Sequence, residues 1–410
     1  MNALAGESCT LCTGTVPFDV ARRVASGLAL PHGRVEEVSL TVARGRVLAQ
    51  PIVAPGPLPP FDQAAMDGYA VRLAGRTGIP LILPVVGRTD AGDPPSRLVP
   101  GTAHRIMTGA ALPQGADSVV MQEHVALKGD TARIDADLPA NQHIRQAGED
   151  VPRGAIVLAR GQRLDWPEIG LLAGLGVAMV PVVAPAKIAI VRTGAELCEA
   201  GAGLTDGQIY DAAGPMLAAL LSAGSVTVDS YRVDDGTAVL AAALNDVAAS
   251  HDLVITTGGM ASGLRDHVRD AVAAIGGRLM VGGVAMKPGK PLAFGRIGSA
   301  CFVGLPGNPQ ASAFATLAFV RPMIDALIGA APPALRFAML AHSWNCARGR
   351  TELRPVTLGV EGRLLIAHAS GPGGSHRMMP MVNADALAIV SEPAEAGAIV
   401  EILPFDRQRW

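Results

Sequence analysis

Strands and helices alternate from residue 187 to about 328, and this alternation constrains the fold more than any other feature of the chain. Short apolar runs predict strands at 187–192, 225–232, 252–257 and 300–304. Helical patterns predict helices at 215–223, 238–249, 265–275 and 309–328. Alternation of this kind is typical of a parallel sheet covered by helices on both faces. We therefore expect an α/β domain in this part of the chain.

The flanking regions are different. With 410 residues the chain is too long for one compact core. After a predicted helix at 17–30, short apolar runs separated by glycine and proline predict a β-rich module up to about residue 150. A linker at 331–333 leads into a small C-terminal β-module. The predicted fold class is a multidomain α/β plus β protein.

Composition excludes several classes of function. The 34 basic and 36 acidic residues are balanced and aromatic residues make up only 3%, which argues against nucleic-acid binding. Five cysteines, an odd number, argue against a disulfide framework and for a reducing compartment. Cys9 and Cys12 form a C-x-x-C pair, but no partner ligands for zinc lie nearby, and we expect incidental thiols.

One charge-free stretch, 169–186, is as short as a membrane span can be. Glycine and proline interrupt it. It is better interpreted as the end of a helix that begins near Pro167, a glycine stop at 174–176 and a buried strand at 177–183. We therefore expect a cytoplasmic protein with no membrane span.

Glycine-containing loops follow three of the predicted strands, and ligands of α/β sheets bind at such strand ends. These loops contain Thr193-Gly194, Gly258-Gly259 and Pro306-Gly307-Asn308. The glycines of the loop at 256–263 expose backbone N–H groups that suit phosphate. The loop matches neither G-x-G-x-x-G nor a P-loop. The alternative is an ordinary strand-to-helix turn. Lys287 and Lys290 bracket a rigid Pro-Gly turn and also suit phosphate, unless they are solvated surface lysines.

Five acidic residues lie in or beside turn-like segments rather than in the middle of helices: Asp67, Asp150, Glu196, Asp234 and Asp266. If several of them meet at one cleft, they would bind Mg²⁺, which prefers oxygen ligands. The alternative for each is a solvated loop carboxylate. The histidines show no H-x-H or H-x-x-x-H spacing, and no G-x-S-x-G element is present.

Six segments carry a specific resemblance when they are taken in order. They are P-P-F-D-Q-A-A-M-D-G-Y-A at 59–70, M-T-G-A-A at 107–111, R-Q-A-G-E-D at 145–150, T-G-A-E-L at 193–197, K-P-G-K-P at 287–291 and L-P-G-N-P at 305–309. In this order they resemble the molybdopterin molybdenumtransferase family, which comprises MoeA in bacteria and the E domain of gephyrin. The resemblance covers about residues 17–404.

The resemblance implies an elongated homodimer of four-part subunits. A discontinuous linker or dimerisation domain would comprise 1–58 and 153–184, and a β-rich module 59–152. A molybdopterin-binding α/β domain would span 185–330 and resemble the adenylyltransferase partner, and a C-terminal β-barrel-like module would span 331–410. Expected partners are that adenylyltransferase and apo-molybdoenzymes or their chaperones.

The resemblance also implies the chemistry. Family members take up molybdate, bind adenylylated molybdopterin with a divalent cation and release AMP. By motif, the catalytic set would be Asp67, Thr108, Asp150, Glu196, Asp234 and Asp266, with Asp234 one residue uncertain in register. Metal ligands would be Asp67, Glu196, Asp234 and Asp266. Pterin and phosphate would be held by Gly258, Gly259, Ser262, Lys287, Lys290, Pro306, Gly307 and Asn308.

The chain departs from the family pattern at ligand-facing loops. Alanine replaces polar residues of the pattern at Ala64, Ala195, Ala212, Ala213 and Ala261. Each replacement removes one ligand or hydrogen-bonding group. Two alternatives therefore stand beside the molybdenumtransferase: a non-catalytic molybdopterin-binding scaffold that has diverged from it, and a molybdopterin adenylyltransferase on the same fold.

Overall fold

The computed structural model describes residues 15–74, 79–135, 139, 141–260, 267–372, 374 and 376–405. Four residues singled out from the sequence, Cys9, Cys12, Ser262 and Asp266, lie outside the described residues, as does Ala261.

The first elements of the described residues are an amphipathic helix and two short strands: α1 (Phe18–Leu28), β1 (Val35–Ser39) and β2 (Ile52–Val53). Helix α1 buries Phe18, Ala21, Ala25 and Leu28, which share one face at helical spacing. The Phe18 ring packs edge-on against Phe319, with 5.2 Å between ring centroids. This contact fastens the N-terminal helix to the core of the α/β domain.

The β-rich module contains eight strands: β3 (Gln63–Ala64), β4 (Gly68–Val71), β5 (Leu81–Thr89), β6 (Ala103–Ile106), β7 (Ser118–Met121), β8 (Val125–Lys128), β9 (Thr131–Ile134) and β10 (Ile144–Arg145). Six of them form one sheet in the order β7-β4-β6-β5-β9-β8. Strands β3 and β10 form a separate antiparallel pair. As predicted, the 59–152 region is rich in strands.

The chain then returns to its N-terminal segment through β11 (Ile156–Leu158), α2 (Trp166–Gly174) and β12 (Met179–Val183). Strand β12 pairs with β1, and β11 pairs with β2. Helix α2 begins with a capping box between Asp165 and Glu168. The charge-free stretch is thus divided between α2 and β12, and no helix of the described residues is long and apolar enough to cross a membrane.

The α/β domain contains the predicted alternation and several short strands besides. Its elements are β13 (Ala186–Arg192), β14 (Leu197–Cys198), β15 (Ile209–Tyr210), α3 (Ala213–Leu221), β16 (Val226–Arg232), α4 (Thr237–Ser250), β17 (Leu253–Thr257), α5 (Val268–Ala274), β18 (Arg278–Val281), β19 (Met286–Lys287), β20 (Ala293–Ile297), β21 (Ala300–Leu305), α6 (Pro309–Ala315) and α7 (Arg321–Leu327). A π-helical turn at Thr316–Val320 joins α6 to α7.

The four strands predicted for this domain form a parallel sheet, and two further strands, β20 and β18, extend it into a mixed one. Its order is β16-β13-β17-β21-β20-β18. The first four strands run parallel, whereas β20 runs in the opposite direction and pairs antiparallel with β21 on one side and with β18 on the other. Only two residues separate β20 from β21, and a connection that short can join only antiparallel neighbours. The carboxyl ends of β13, β17 and β21 still lie along one edge.

The C-terminal module is a small closed barrel, as predicted. Its elements are β22 (Arg336–Leu340), β23 (Thr351–Glu361), β24 (Leu364–Ala369), α8 (Met379–Asn383), β25 (Ala386–Val390) and β26 (Ile399–Pro404). Five strands close in the order β23-β24-β22-β26-β25 because β25 also pairs with β23. Strand β19 of the preceding domain joins this sheet beside β23.

Candidate active site

Three motifs that are far apart in sequence meet around strand β3. Strand β3 pairs with β10, which places Gln63 opposite Arg145. Ala64 exchanges backbone hydrogen bonds with the second motif, accepting from Gly109 and donating to Ala110. The structure therefore brings together the P-P-F-D-Q-A-A-M-D-G-Y-A, M-T-G-A-A and R-Q-A-G-E-D segments.

Asp67 is fixed by the second of these motifs. Its Oδ1 atom accepts a hydrogen bond from the Thr108 hydroxyl at 2.6 Å and another from the Thr108 backbone N–H at 2.8 Å. These two hydrogen bonds favour the carboxylate and lower the pKa of Asp67 below its ordinary value. Asp67 and Thr108, singled out separately from the sequence, thus form one unit with an ionised carboxylate at its centre.

Asp150 lies in the third motif with an exposed side chain. Its backbone N–H donates to the Leu58 carbonyl at 3.1 Å. The carboxylate that fastens this motif to the first is Asp62, which accepts from the backbone N–H of Ala147 at 2.8 Å. Sequence reasoning missed Asp62, and the only available signal was its place in the P-P-F-D lead-in. The role of Asp150 stays a prediction.

Three loops follow the adjacent strands β13, β17 and β21 and lie side by side. Gly258 has a φ of +85°, which favours glycine. A methyl carbon placed on Gly258 would lie 3.0 Å from the Thr193 carbonyl oxygen, and one placed on Gly307 would lie 3.6 Å from the Gly258 Cα. The predicted phosphate loop is therefore in close contact with the loop on either side of it.

Glu196 and Asp234 are both exposed in the loops after β13 and β16. The Glu196 carboxylate folds back over Gly194, where an added methyl carbon would lie 2.8 Å from Glu196 Oε1. The neighbour of Asp234 has a different role, because the Asp235 carboxylate accepts from Thr193 Oγ1 at 2.6 Å and from the Ala195 N–H at 2.8 Å. Of the two adjacent acids, Asp235 is the one bonded to the Thr193–Glu196 loop.

Lys287 ends strand β19, and Lys290 lies in the turn that follows it. The Lys287 side chain is 62% exposed, and its Nζ atom lies 3.3 Å from the buried carboxylate of Glu352. Glu352 is also held by Arg354 at 2.6 Å. Lys290 is exposed, and its carbonyl accepts from the Val284 N–H. Glu352, which the sequence did not single out, lies 65 residues beyond Lys287, and no local signal could have revealed the pair.

The last loop leads directly into helix α6. Asn308 is the N-cap, and its Oδ1 atom accepts from the Ala311 N–H at 3.2 Å. The buried Pro306 carbonyl accepts a hydrogen bond from the Ser312 hydroxyl. Both residues therefore have a structural role that orients the loop beside Gly258.

The described residues contain no cluster of three or more His, Cys, Asp or Glu side chains placed to hold a metal ion. Among the predicted metal ligands, the structure describes Asp67, Glu196 and Asp234. Asp67 belongs to the β-rich module, whose cores are separate from those of the α/β domain. Whether these acids share one site stays a prediction.

Models of known protein families match almost the whole length of the chain. Residues 16–176 match the MoeA N-terminal region (domain I and II), 189–326 a probable molybdopterin-binding domain, and 338–405 the MoeA C-terminal region (domain IV). The chain belongs to the MoeA family of molybdopterin molybdenumtransferases. The resemblance carried by the six sequence motifs is confirmed.

Relatives of known name support this membership. Molybdopterin molybdenumtransferase 2 of Mycobacterium tuberculosis H37Rv is 37% identical over 87% of this chain and 90% of its own length. Molybdopterin molybdenumtransferase of Haemophilus influenzae is 35% identical over 91% of this chain and 94% of its own. The solved MoeA structure from Pyrococcus horikoshii OT3 has a TM-score of 0.82 at 27% identity, covering 96% of this chain and 100% of that one.

The departures from the MoeA family pattern can now be placed. Ala195 contributes its backbone N–H to Asp235, a contact that does not depend on the residue's side chain. Ala213 begins helix α3, and Ala212 precedes it. The buried Asp211 accepts from the Gly214 N–H at 2.9 Å and forms an ion pair with Arg192 at 2.9 Å. The backbone of these loops is therefore held by groups other than the replaced side chains.

Proposed function

We propose that this MoeA-family chain inserts molybdate into adenylylated molybdopterin and releases AMP in a Mg²⁺-dependent step. The observation that carries the proposal is the meeting of three loops at the carboxyl edge of the β13-β17-β21 sheet. Ligands of α/β sheets bind at such an edge, and backbone N–H groups around glycines suit phosphate. The names of the relatives point to the same substrate class.

In this proposal the pterin and its phosphate lie against Gly258 and Gly259. We assign Ser262, Pro306, Gly307 and Asn308 to the same ligand. Lys290 and Lys287 supply positive charge, as lysines do at many phosphate sites. When an anion binds, the ammonium group of Lys287 would turn from Glu352 to the anion or contact both, because an exposed lysine side chain can rotate.

The acidic residues fit a magnesium ion. Mg²⁺ is usually bound through one or two carboxylates together with substrate phosphates and waters, so a preformed cage of three carboxylates is not required. Glu196 and Asp234 are exposed carboxylates on adjacent loops, and we assign them, with Asp266 and Asp67, as the groups that would hold the ion. When bound, the metal would neutralise charge on the phosphoanhydride as AMP leaves.

Thr108 and Asp150 are assigned to molybdate or its entry route, beside Asp67. Asp67 belongs to the β-rich module, and Glu196 belongs to the α/β domain. We propose a homodimer in which each site takes these two modules from different subunits. We also propose a cytoplasmic location, with substrate arriving from a molybdopterin adenylyltransferase and product leaving to apo-molybdoenzymes or their chaperones.

Metal dependence tests this proposal. The purified chain is incubated with adenylylated molybdopterin and molybdate, and AMP is measured by chromatography. We expect AMP release that stops in excess chelator and returns with Mg²⁺ or Mn²⁺. Asp67→Asn is the matched inactive control, because it keeps the side-chain shape and removes the charge. Full activity in excess chelator would rule out the assignment of Mg²⁺.

A further inference from the structure

We infer that Asp235 is a positioning residue that holds the loop carrying Glu196 in place for the reaction. The inference rests on the proposed function for the role of Glu196, but its structural part stands on contacts within the chain. Asp235 follows strand β16 and lies just before helix α4. It was not selected from the sequence, where its neighbour Asp234 matched the family motif.

Among the described residues, the side-chain hydrogen bonds of Asp235 all go to one loop. One carboxylate oxygen accepts from the Thr193 hydroxyl at 2.6 Å, and the other accepts from the Ala195 N–H at 2.8 Å. The two donors lie on either side of Gly194. Hydrogen bonds to an ionised acceptor are stronger than neutral ones. A carboxylate that accepts one bond with each oxygen fixes both the position and the orientation of the loop.

The loop is also in contact on its other side. The Thr193 carbonyl lies against Gly258, where a methyl carbon would come within 3.0 Å of it. Glu196 folds its carboxylate over Gly194, so the position of this acid depends on the backbone between the two Asp235 contacts. Asp235 therefore links the Glu196 loop to the start of α4. The loop that contains Gly258 contacts the Glu196 loop from the opposite side.

This arrangement gives adjacent acids different roles. The Asp235 oxygens are both used by backbone and hydroxyl donors of the Thr193–Glu196 loop. Asp234 is exposed beside it and is the member of the pair assigned to the metal in the proposed function. Removing Asp235 should therefore leave the metal ligands present but poorly placed, whereas removing Asp234 should remove a ligand from a loop that is still ordered.

Two measurements on the full chain test the inference. The amide hydrogen-exchange rate of a peptide covering 193–198 measures how firmly the loop is held, and it does not depend on activity. The Mg²⁺ concentration that half-saturates AMP release reports the placement of Glu196. For Asp235→Ala we expect exchange about tenfold faster and a Mg²⁺ requirement about tenfold higher, as the loss of one or two hydrogen bonds predicts. Activity at saturating Mg²⁺ should recover to within about threefold, because the ligands remain.

Matched variants separate the two acids. Thr193→Val removes one donor and should therefore show part of both effects. Thr193→Ser keeps the hydroxyl and should behave like the parent chain. Asp234→Ala should raise the Mg²⁺ requirement without changing loop exchange. If Asp235→Ala leaves loop exchange at the parent rate, or changes exchange but not the Mg²⁺ requirement, the positioning role is wrong. If the parent itself releases no AMP, the proposed function fails, and loop exchange alone then decides whether Asp235 anchors the loop.

Discussion

At the level of single residues, Asp67 shows how a partly exposed carboxylate is kept ionised. Both hydrogen bonds to its Oδ1 atom come from Thr108, one from the hydroxyl and one from the backbone. The hydroxyl bond is the largest contribution to the lowered pKa of Asp67. A threonine in the M-T-G-A-A segment therefore acts on an acid 41 residues away.

Thr108→Ala should move the acid limb of the activity profile. Loss of the hydroxyl bond raises the pKa of Asp67 towards its ordinary value, so the carboxylate becomes protonated, and activity falls, at a higher pH than in the parent. Thr108→Ser keeps a hydroxyl and should keep the parent profile. AMP release measured between about pH 4 and 8 checks this. An unchanged acid limb in Thr108→Ala would show that the hydroxyl does not control the ionisation that matters.

Gly68, beside Asp67, tests the packing of the same loop. A methyl carbon at this position would lie 1.9 Å from the Val120 carbonyl oxygen on the neighbouring strand β7. Backbone cannot move as freely as a side-chain tip, so Gly68→Ala should lower the free energy of unfolding by about 3 kcal/mol. Gly170→Ala is the control, because it lies in open space within α2 and should stabilise by about 0.5–1 kcal/mol. Urea unfolding of both variants measures the difference.

At the scale of secondary-structure elements, an ion pair connects the segment before β1 with the start of β17. Arg34 donates to both carboxylate oxygens of Asp252, and the Lys187 N–H donates to the same carboxylate at 2.7 Å. Burial opposes ionisation of Asp252, but these hydrogen bonds outweigh it and lower the pKa of Asp252. The pair fixes the N-terminal segment to the edge of the sheet opposite the candidate site.

Asp252→Asn should destabilise the fold in a pH-dependent way. The folded-state pKa of Asp252 lies below its unfolded value, so its contribution is complete above about pH 4 and is lost as pH falls further. We expect a loss of about 1–2 kcal/mol in the free energy of unfolding at pH 7. The exposed pair of Asp19 and Arg23 provides the control, and Asp19→Asn should change stability by less than about 0.5 kcal/mol. A loss for Asp252→Asn that is equal at pH 7 and pH 3 would contradict the assignment.

The elements of the fold could largely be predicted from the sequence, because periodicity and turn residues are local signals. The βαβ alternation and the C-terminal barrel were predicted correctly. Short strands such as β14, β15 and β18 were missed, since two to four residues carry no periodicity. The predicted strands of the parallel sheet are indeed parallel, but β20, which forms a tight antiparallel hairpin with β21, was missed.

The candidate site was harder to predict because its contacts are non-local. Motif matching selected Asp67 and Thr108 separately, and only the fold shows that they touch. It could not choose between Asp234 and Asp235, since which of two adjacent loop acids contacts Thr193 depends on backbone geometry. The contact between Glu352 and Lys287 could not be predicted, because Glu352 belongs to a different module.

In the molecule as a whole, the C-terminal barrel contacts the strand that carries one of the two lysines predicted to bind phosphate. Strand β19, which carries Lys287, pairs with β23 of the barrel, and Thr351 donates its N–H to the Ala285 carbonyl at 2.9 Å. The β-rich module is held separately, around its own cores. A dimer that shares its sites would bring that module to the same cleft.

Mixed dimers test the shared site. Asp67→Asn and Glu196→Gln should each be inactive alone and should be co-expressed with different tags. If each site takes Asp67 from one subunit and Glu196 from the other, a mixed dimer holds one intact site. About half of random dimers are mixed, so about a quarter of all sites should recover. A pool that contains mixed dimers but shows no activity would place both acids within one subunit.

The proposed conversion of adenylylated molybdopterin and molybdate into active cofactor and AMP can be tested by counting both products in one reaction. AMP is measured by chromatography, and active cofactor by reconstitution of an apo-molybdoenzyme from the same samples. We expect AMP release to require molybdate and each AMP to accompany about one active cofactor, as a single coupled insertion demands. Tight binding of the substrate with no AMP released, or AMP released without active cofactor, would contradict it.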